Sequence, residues 1–372
     1  MAGIANSALL DLLNTTKEKL PEGRFHHTQK FQRYEVMNRW FQEDKVRIIS
    51  GTEITDNIAL SETGNARQVR LYQKSAINVG ETQHRIKAPW TQAETHYALE
   101  RREMLRNRAP ARFVNLLNSR KRDAAMGVAD LLEQRAWLAP ESSDDDLNPM
   151  GIPYWVPQMD AAVAGAGFFG GSATGFTTTA NIDPATANDN KPAISGGQAR
   201  WRSWYAGGKD TTTGIEYYLT LNDAAVVTMM LAMYKVNFES PFVVADLVDG
   251  PKANFRIYMN TMTKIAYEQL AKQQNNQLGN DLQPFQGIVA FKRVPIIHMS
   301  VLDTDTADPI YFINHNEFYP YVQEGDYLRE DEAIRSPDYH NVFIVFTDIS
   351  YNFFCSNRRC QAVMSKTAEV AM

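Results

Sequence analysis

Cysteine is scarce in this chain: two residues in 372, Cys355 and Cys360, and their spacing is not C-x-x-C. With no second pair, the pattern argues against a disulfide framework, a redox dithiol and a cysteine zinc site, each of which needs thiols at set distances. No apolar run approaches the ~20 residues of a membrane-crossing helix, so no membrane partner is expected. The first residues lack the basic and apolar segments of a secretion signal, and the Asn14-Thr15-Thr16 sequon is expected to be idle. Histidine is also sparse. The seven residues include adjacent His26 and His27 but no H-E-x-x-H pattern.

Catalytic signatures are thin too. Neither a P-loop nor a G-x-S-x-G elbow occurs. Gly165-Ala166-Gly167-Phe168-Phe169-Gly170 matches G-x-G-x-x-G in letters alone. That motif cradles a pyrophosphate only where it joins a strand to a helix N-terminus, and here Gly, Ser and Thr follow without helical period. Asp144-Asp145-Asp146 has no EF-hand spacing, and successive carboxylates rarely converge on one ion. No cofactor, metal or catalytic residue is expected.

What remains is a globular composition, 44% hydrophobic and 22% charged, long enough for one large or two ordinary cores. The net charge of −5 hides a strong polarity. Residues 84–135 hold 11 Lys or Arg against 6 Asp or Glu, whereas residues 302–348 hold 11 acidic residues against Arg329 and Arg335 alone. Two accounts fit equally: neutralisation within the chain, or head-to-tail contact between identical copies.

The most informative stretch is 65–138. In 66–72, Val69 and Leu71 alternate with Gln68, Arg70 and Tyr72, the period of a strand with one sheltered face. A second extended run covers 83–99, and Pro89 bars it from a central-sheet position because it cannot donate a ladder bond. Such a polar ribbon is marginal alone and needs a surface to lie on. A helix is then expected from Pro110 to about Leu138, roughly 40 Å at 1.5 Å per residue. Val114, Leu117, Ala124, Val128 and Leu131 form its apolar stripe, and Arg112, Arg120, Lys121, Arg122 and Arg135 fill the rest. That basic face is either simply solvated or turned toward polyanion or an acidic neighbour.

Elsewhere, 2–19 reads as a short amphipathic helix, and 24–45 as a polar, aromatic arm that must pack on something larger. A short strand is expected at 45–50. Residues 157–214, rich in Gly, Ala and Thr, show hardly any period and read as an insertion anchored by Trp201, Trp204 and Tyr205. Helices are expected at 221–236 and 261–275, strands at 255–259, 286–292, 294–301 and 309–314, and long strands over 339–366. Strands and helices are segregated rather than alternating, which argues for an α+β fold.

The order of these parts resembles the major capsid proteins of tailed double-stranded DNA bacteriophages, the HK97-type fold. The carriers are Arg108-Ala109-Pro110-Ala111-Arg112-Phe113-Val114 at the helix start, Asn148-Pro149-Met150-Gly151-Ile152-Pro153 after it, Phe255–Thr261, Phe291–Ile297 and the closing 350–359. The resemblance spans about 25–366 and implies an α+β, HK97-like capsid fold. Its parts would be an N-terminal helix and arm (1–50), an extended β-hairpin or E-loop (51–104), a peripheral domain with the long spine helix (105–156), the insertion (157–214), an axial domain (215–332) and a return strand (333–372). It implies a structural role: hexamers and pentamers of an icosahedral shell around double-stranded DNA, in the virion and, during assembly, the host cytoplasm. A separate scaffold, or none, is implied, with portal and decoration proteins as possible further partners. Neither an N-terminal scaffolding domain ahead of the arm nor a Lys–Asn cross-link is expected.

On that resemblance, Arg67, Arg70, Arg85 and Lys87 of the hairpin would meet acidic groups of an adjacent copy, with Glu324, Asp326, Glu330, Asp331 and Glu332 as candidates. Arg112, Arg120, Lys121 and Arg122 would form the basic spine-helix face. Two other readings stand beside this one, an encapsulin-like cargo compartment and a soluble α+β enzyme.

Overall fold

The computed structural model describes residues 34–59, 67–71, 73–74, 83–106, 110–158, 165–173, 175–176, 178–182, 200–209, 214–236, 254–278, 289–292 and 294–366. The helix expected over 2–19 and the first part of the 24–45 arm lie outside them. The first half contains α1 (Glu35–Trp40), β1 (Arg47–Ile49), β2 (Ile54–Ala59), β3 (Gln83–Ala88), β4 (Thr91–Glu100), α2 (Arg101–Arg106), α3 (Pro110–Ala136) and the single turn α4 (Ile152–Trp155). Next come β5 (Gly165–Gly170), β6 (Ser203–Lys209), β7 (Glu216–Tyr218), α5 (Asp223–Lys235), β8 (Phe255–Met259), α6 (Thr261–Leu278), β9 (Ala290–Phe291) and β10 (Val294–His298). The chain closes with β11 (Ile310–Asn314), β12 (Phe318–Gln323), β13 (Arg329–Glu330), β14 (Ile334–Arg335), β15 (Val342–Cys355) and β16 (Ala362–Ser365).

Three sheets result. The smaller main sheet is organised by β15, which pairs along ten residues with β4, from Tyr351↔Thr91 to Val342↔Glu100. Its last five residues pair with β12, and β1 adds to β12 in parallel. The odd residues of β15 and β4 face α3, so Val345, Tyr97 and Leu99 pack with Leu117 and Ala124. Val342, Ile344 and Phe346 fall on the opposite, half-exposed face. The eight-stranded sheet runs β5-β6-β16-β11-β8-β10-β9, with β7 beside β6. Its β8–α6–β10 unit is a parallel crossover. One face, including Trp204, Ile257, Ile296, Phe312 and Met364, packs under α5 through Ala225, Met229 and Met233. The other face, through Tyr205, Tyr258, Tyr311 and Val363, joins the main core with Trp137.

The long helix forms at Pro110–Ala136, and α5 starts where expected, with the Asn222 side chain accepting the Ala225 N–H. Four expectations need correction. The first hairpin strand is β2, which pairs with β3 from Ile54↔Ala88 to Ala59↔Gln83, and not 66–72. Residues 67–70 are irregular and Leu71 is in a turn, because Val69 and Leu71 have no second layer to bury against. The 83–99 run divides at Pro89, which belongs to neither strand: β3 goes to the hairpin and β4 to the smaller main sheet, where it pairs with β15. The unpatterned stretch 157–214 also supplies β5 and β6 to the large sheet, so these strands are not extraneous to it. In β6 six successive residues are buried, so alternation never appears in the sequence. The strand expected at 294–301 stops at His298 and gives way to a 3-10 turn at Ser300–Thr304.

Candidate subunit-contact surface

The hairpin leaves the body at Pro89, whose carbonyl accepts from the Asn352 amide at 2.8 Å. The hairpin's apolar residues Ile54, Ile86 and Ala88 are buried at its base, which leaves Arg85 on the outer face. Lys87 lies on the same face but holds Glu53 at 2.6 Å within its own chain. In the segment that joins β2 to β3, the Arg67 guanidinium donates to the Lys74 carbonyl at 2.9 Å, and the Arg70 N–H donates to Gln73 Oε1 at 2.9 Å. Both arginines remain exposed, as are Val69 and Leu71 between and beyond them.

The acidic stretch lies where β12 turns into β13. Glu324 and Glu332 are exposed. Glu330 is already engaged: Lys121 of α3 and the Tyr97 hydroxyl both donate to its carboxylate. The Lys121 bond, then the Tyr97 bond, hold Glu330 below the usual carboxylate range. Burial first, then Glu330, push the Tyr97 hydroxyl up to about 12. Arg329 alone serves three carboxylates, Asp331 at 3.2 Å, Asp348 at 3.7 Å and Asp326 at 4.0 Å. Asp348 stands opposite Glu94 in the ladder, and its pKa is raised by burial, then by Asp331 and Asp326. The charge segregation seen in sequence is therefore partly neutralised in the chain, and an acidic excess survives around Arg329.

The helical basic face divides similarly. Arg120 pairs with Glu103 at 2.9 Å and also donates to the Ala98 carbonyl. Arg122 is exposed, and Arg112 lies in the first turn of α3. Arg135 donates to the Asn148 side chain beyond the helix end.

Two further residues anchor the arm: Glu133, which no sequence pattern singled out, and Trp40, one of the aromatics of the expected 24–45 arm. Glu133 of α3 accepts the backbone N–H groups of Glu35, Val36 and Met37 at 3.0–3.2 Å, capping α1 from another element. Trp40, at the other end of α1, stacks on Phe318 with ring centroids 4.8 Å apart. Its indole N–H donates to His315 Nδ1 at 2.8 Å. Indole can only donate, so His315 is the neutral Nε2–H tautomer, giving its proton to the Tyr258 hydroxyl at 2.6 Å. One imidazole thus ties the arm to the eight-stranded sheet.

A pH prediction follows. His315 is fully buried, and desolvation, then Arg39, Lys45 and Arg256, hold its pKa well below the usual value. The unfolded chain takes up this proton near pH 6.5, the folded chain only at much lower pH, so stability is lost as pH falls. The loss approaches ~1.4 kcal/mol per pH unit from this one group. Urea midpoints at pH 7.5 and 5.5 should differ more for the unaltered chain than for His315→Gln; equal differences would refute it.

Among the described residues, no group of His, Cys, Asp and Glu could hold a metal, and no helix is long and apolar enough to cross a membrane. No protein-family model matches the sequence, and no curated protein matches it either. Solved structures do. A chain of the Cyanophage A-1(L) capsid asymmetric unit is 11% identical, with 94% of this chain and 96% of that one covered at a TM-score of 0.55. A chain from the capsid of a native GTA particle is 12% identical, covering 98% and 100% at 0.50. The SrpI encapsulin of Synechococcus elongatus PCC 7942 is 8% identical, covering 98% and 96% at 0.49. At such identities the likeness speaks for architecture, and the architecture is plain: this chain has the HK97-type capsid fold.

Proposed function

We propose that this chain is a major capsid protein, a structural subunit that assembles with copies of itself into hexamers and pentamers of an icosahedral shell around double-stranded DNA. The carrying observation is the fold shared end to end with the Cyanophage A-1(L) capsid chain. On this reading β2–β3 is the base of the E-loop and α3 the spine helix. The smaller main sheet belongs to the peripheral domain and the eight-stranded sheet to the axial domain. Scaffolding, portal and decoration proteins would be further partners, the virion the final location and the host cytoplasm the place of assembly.

The test is direct. Expressed protein, alone and with its own scaffold, is viewed by negative-stain microscopy, and uniform closed shells are expected. A chain that stays monomeric at high concentration would overturn the proposal. Nuclease-protected DNA in particles from infected cells is expected; protein cargo in its place would indicate an encapsulin-like compartment.

Exposed hairpin cations supply the electrostatic part of subunit contact on this reading. Reversing Arg67, Arg70 and Arg85 together to Glu should lower particle yield at least tenfold, since like charges facing across an interface cost several kcal/mol. Reversal of Glu324 and Glu332 to Lys in the same chain should restore part of it. Unchanged yield in the triple variant would exclude these residues from the contact. Lys87 is omitted because Glu53 already holds it.

A further inference from the structure

A cavity of about 210 Å³ lies between α3 and the smaller main sheet. It exists because α3 lines it with Ala124, Ala125 and Ala129, each offering a single methyl group where a larger side chain would fill the gap. Val128 and Leu132 of α3, Met37 of α1 and Ile349 of β15 complete an apolar wall. Tyr327 and Leu328 also line it while 46% and 43% exposed, so it opens to the outside there. The polar groups are few and of two kinds. Thr95 of β4 and Thr347 of β15 stand directly opposite each other in the ladder and bring two hydroxyls to the sheet side of the lining. Lys121 and the Tyr97 hydroxyl both donate to Glu330, so the two charges in the lining are matched to each other.

We propose that this cavity is a binding site for a small uncharged aromatic molecule carrying one polar group, of the size of a phenol or an indole. Volume sets the first bound. An apolar cavity of about 150 Å³ holds benzene, whereas drug-sized ligands occupy roughly 300–1,000 Å³. One ring or two fused rings therefore fit, and a nucleotide does not. Charge sets the second bound. A ligand carboxylate or ammonium would either stay unpaired against an apolar wall or break the Lys121–Glu330 pair, and both are costly. The hydroxyls of Thr95 and Thr347 set the third, because each can donate or accept and so can meet a single O–H or N–H on the ligand. Entry is past Tyr327 and Leu328. A molecule held there braces α3 against β4 and β15, and it binds only where the helix and sheet are assembled, so it stabilises the folded chain. The site lies within one subunit and needs no second copy.

Indole is the probe, titrated into the full chain and followed by calorimetry. Saturable binding at one site per chain is expected, with the thermal midpoint raised by about 2 °C at ten times Kd. Indole-3-acetate, which adds a carboxylate, should bind at least tenfold more weakly; equal binding of the two would overturn the assignment to an uncharged ligand. Ala129→Leu puts a larger side chain into the cavity and should weaken indole at least tenfold. Thr347→Val keeps the shape and removes one hydroxyl. It should weaken indole about threefold or more and leave toluene unchanged, which keeps the test decisive should Ala129→Leu fail to fold. Absence of saturable indole binding would overturn the proposal, as would equal affinities for the unaltered chain and both variants, which would place the indole elsewhere. Either result leaves the shell reading standing, because closed particles are scored separately by microscopy.

Discussion

Arg358→Ala is expected to leave little or no soluble, folded protein. The Arg358 side chain is fully buried and donates to three backbone carbonyls from separate parts of the chain: Trp155 at 2.7 Å, Trp201 at 2.8 Å, and Gly171. Its guanidinium also lies over the Trp201 ring at 5.6 Å. Burial pulls its pKa down to about 10, which still leaves it charged at neutral pH. Removing the side chain orphans three buried acceptors at about 1–3 kcal/mol each and opens a cavity besides. A total near 5 kcal/mol or more consumes most of a typical stability of 5–15 kcal/mol. Arg358→Lys should rescue little, because one ammonium cannot reach three carbonyls in a fork geometry. The neighbouring Arg359 is exposed over the Phe168 ring at 4.1 Å, and Arg359→Ala should cost under ~1 kcal/mol. Soluble yield and thermal midpoints of the three variants measure this; equal losses from Arg358→Ala and Arg359→Ala would refute it.

Gly151→Val should cost at least ~3 kcal/mol through overpacking, judged by the urea midpoint. A Cβ at Gly151 would stand 2.1 Å from the Leu138 carbonyl oxygen, 2.6 Å from that of Ala136 and 2.8 Å from that of Arg135. The Asn148–Ile152 loop crosses the C-terminal end of α3 at this point, and only a bare backbone fits over those carbonyls. The backbone angle is ordinary (φ −75°), so the requirement is closeness rather than conformation. The loop cannot lift away cheaply. Met150 N–H is held by Asn352 Oδ1 at 2.8 Å, and the Trp155 indole donates to the Met150 carbonyl at 2.9 Å. Gly127, in the middle of α3, is the control. An added Cβ there meets nothing within 4 Å, so Gly127→Ala should stabilise the chain by about 0.5–1 kcal/mol. A Gly151 variant as stable as the parent would contradict the packing.

These two positions show where sequence reading succeeds and where it stops. The long helix was legible because Pro110 fits a first turn and apolar spacing holds to Val128 and beyond. The P-M-G-I element was legible as a motif, but its reason, contact with three helical carbonyls, exists only in three dimensions. Arg358 and Arg359 are indistinguishable as letters, yet one is buried among carbonyls and the other is exposed. The strands of the large sheet are covered on both faces, so β6 and β11 carry no alternation to read. The 66–72 alternation misled for the opposite reason: it has polar and apolar faces but nothing to bury the apolar one. Of the candidate contact residues, Arg67, Arg70, Arg85, Glu324 and Glu332 are exposed, whereas Lys87 and Glu330 already have partners in the chain. Those pairings join positions 34 and 209 residues apart, beyond the reach of any local pattern.

The pairing of β4 with β15 also sets a schedule. β4 supports the hairpin, yet its one strand neighbour among the described residues lies 242–260 residues later in the chain. At ~5–20 residues per second, a ribosome takes roughly 10–50 s to supply that neighbour after β4 emerges. Throughout that interval the foundation of the hairpin is incomplete, and pairing across so long a separation is slow to nucleate even afterwards. The base of the hairpin therefore gains its strand support only after β15 has been synthesised.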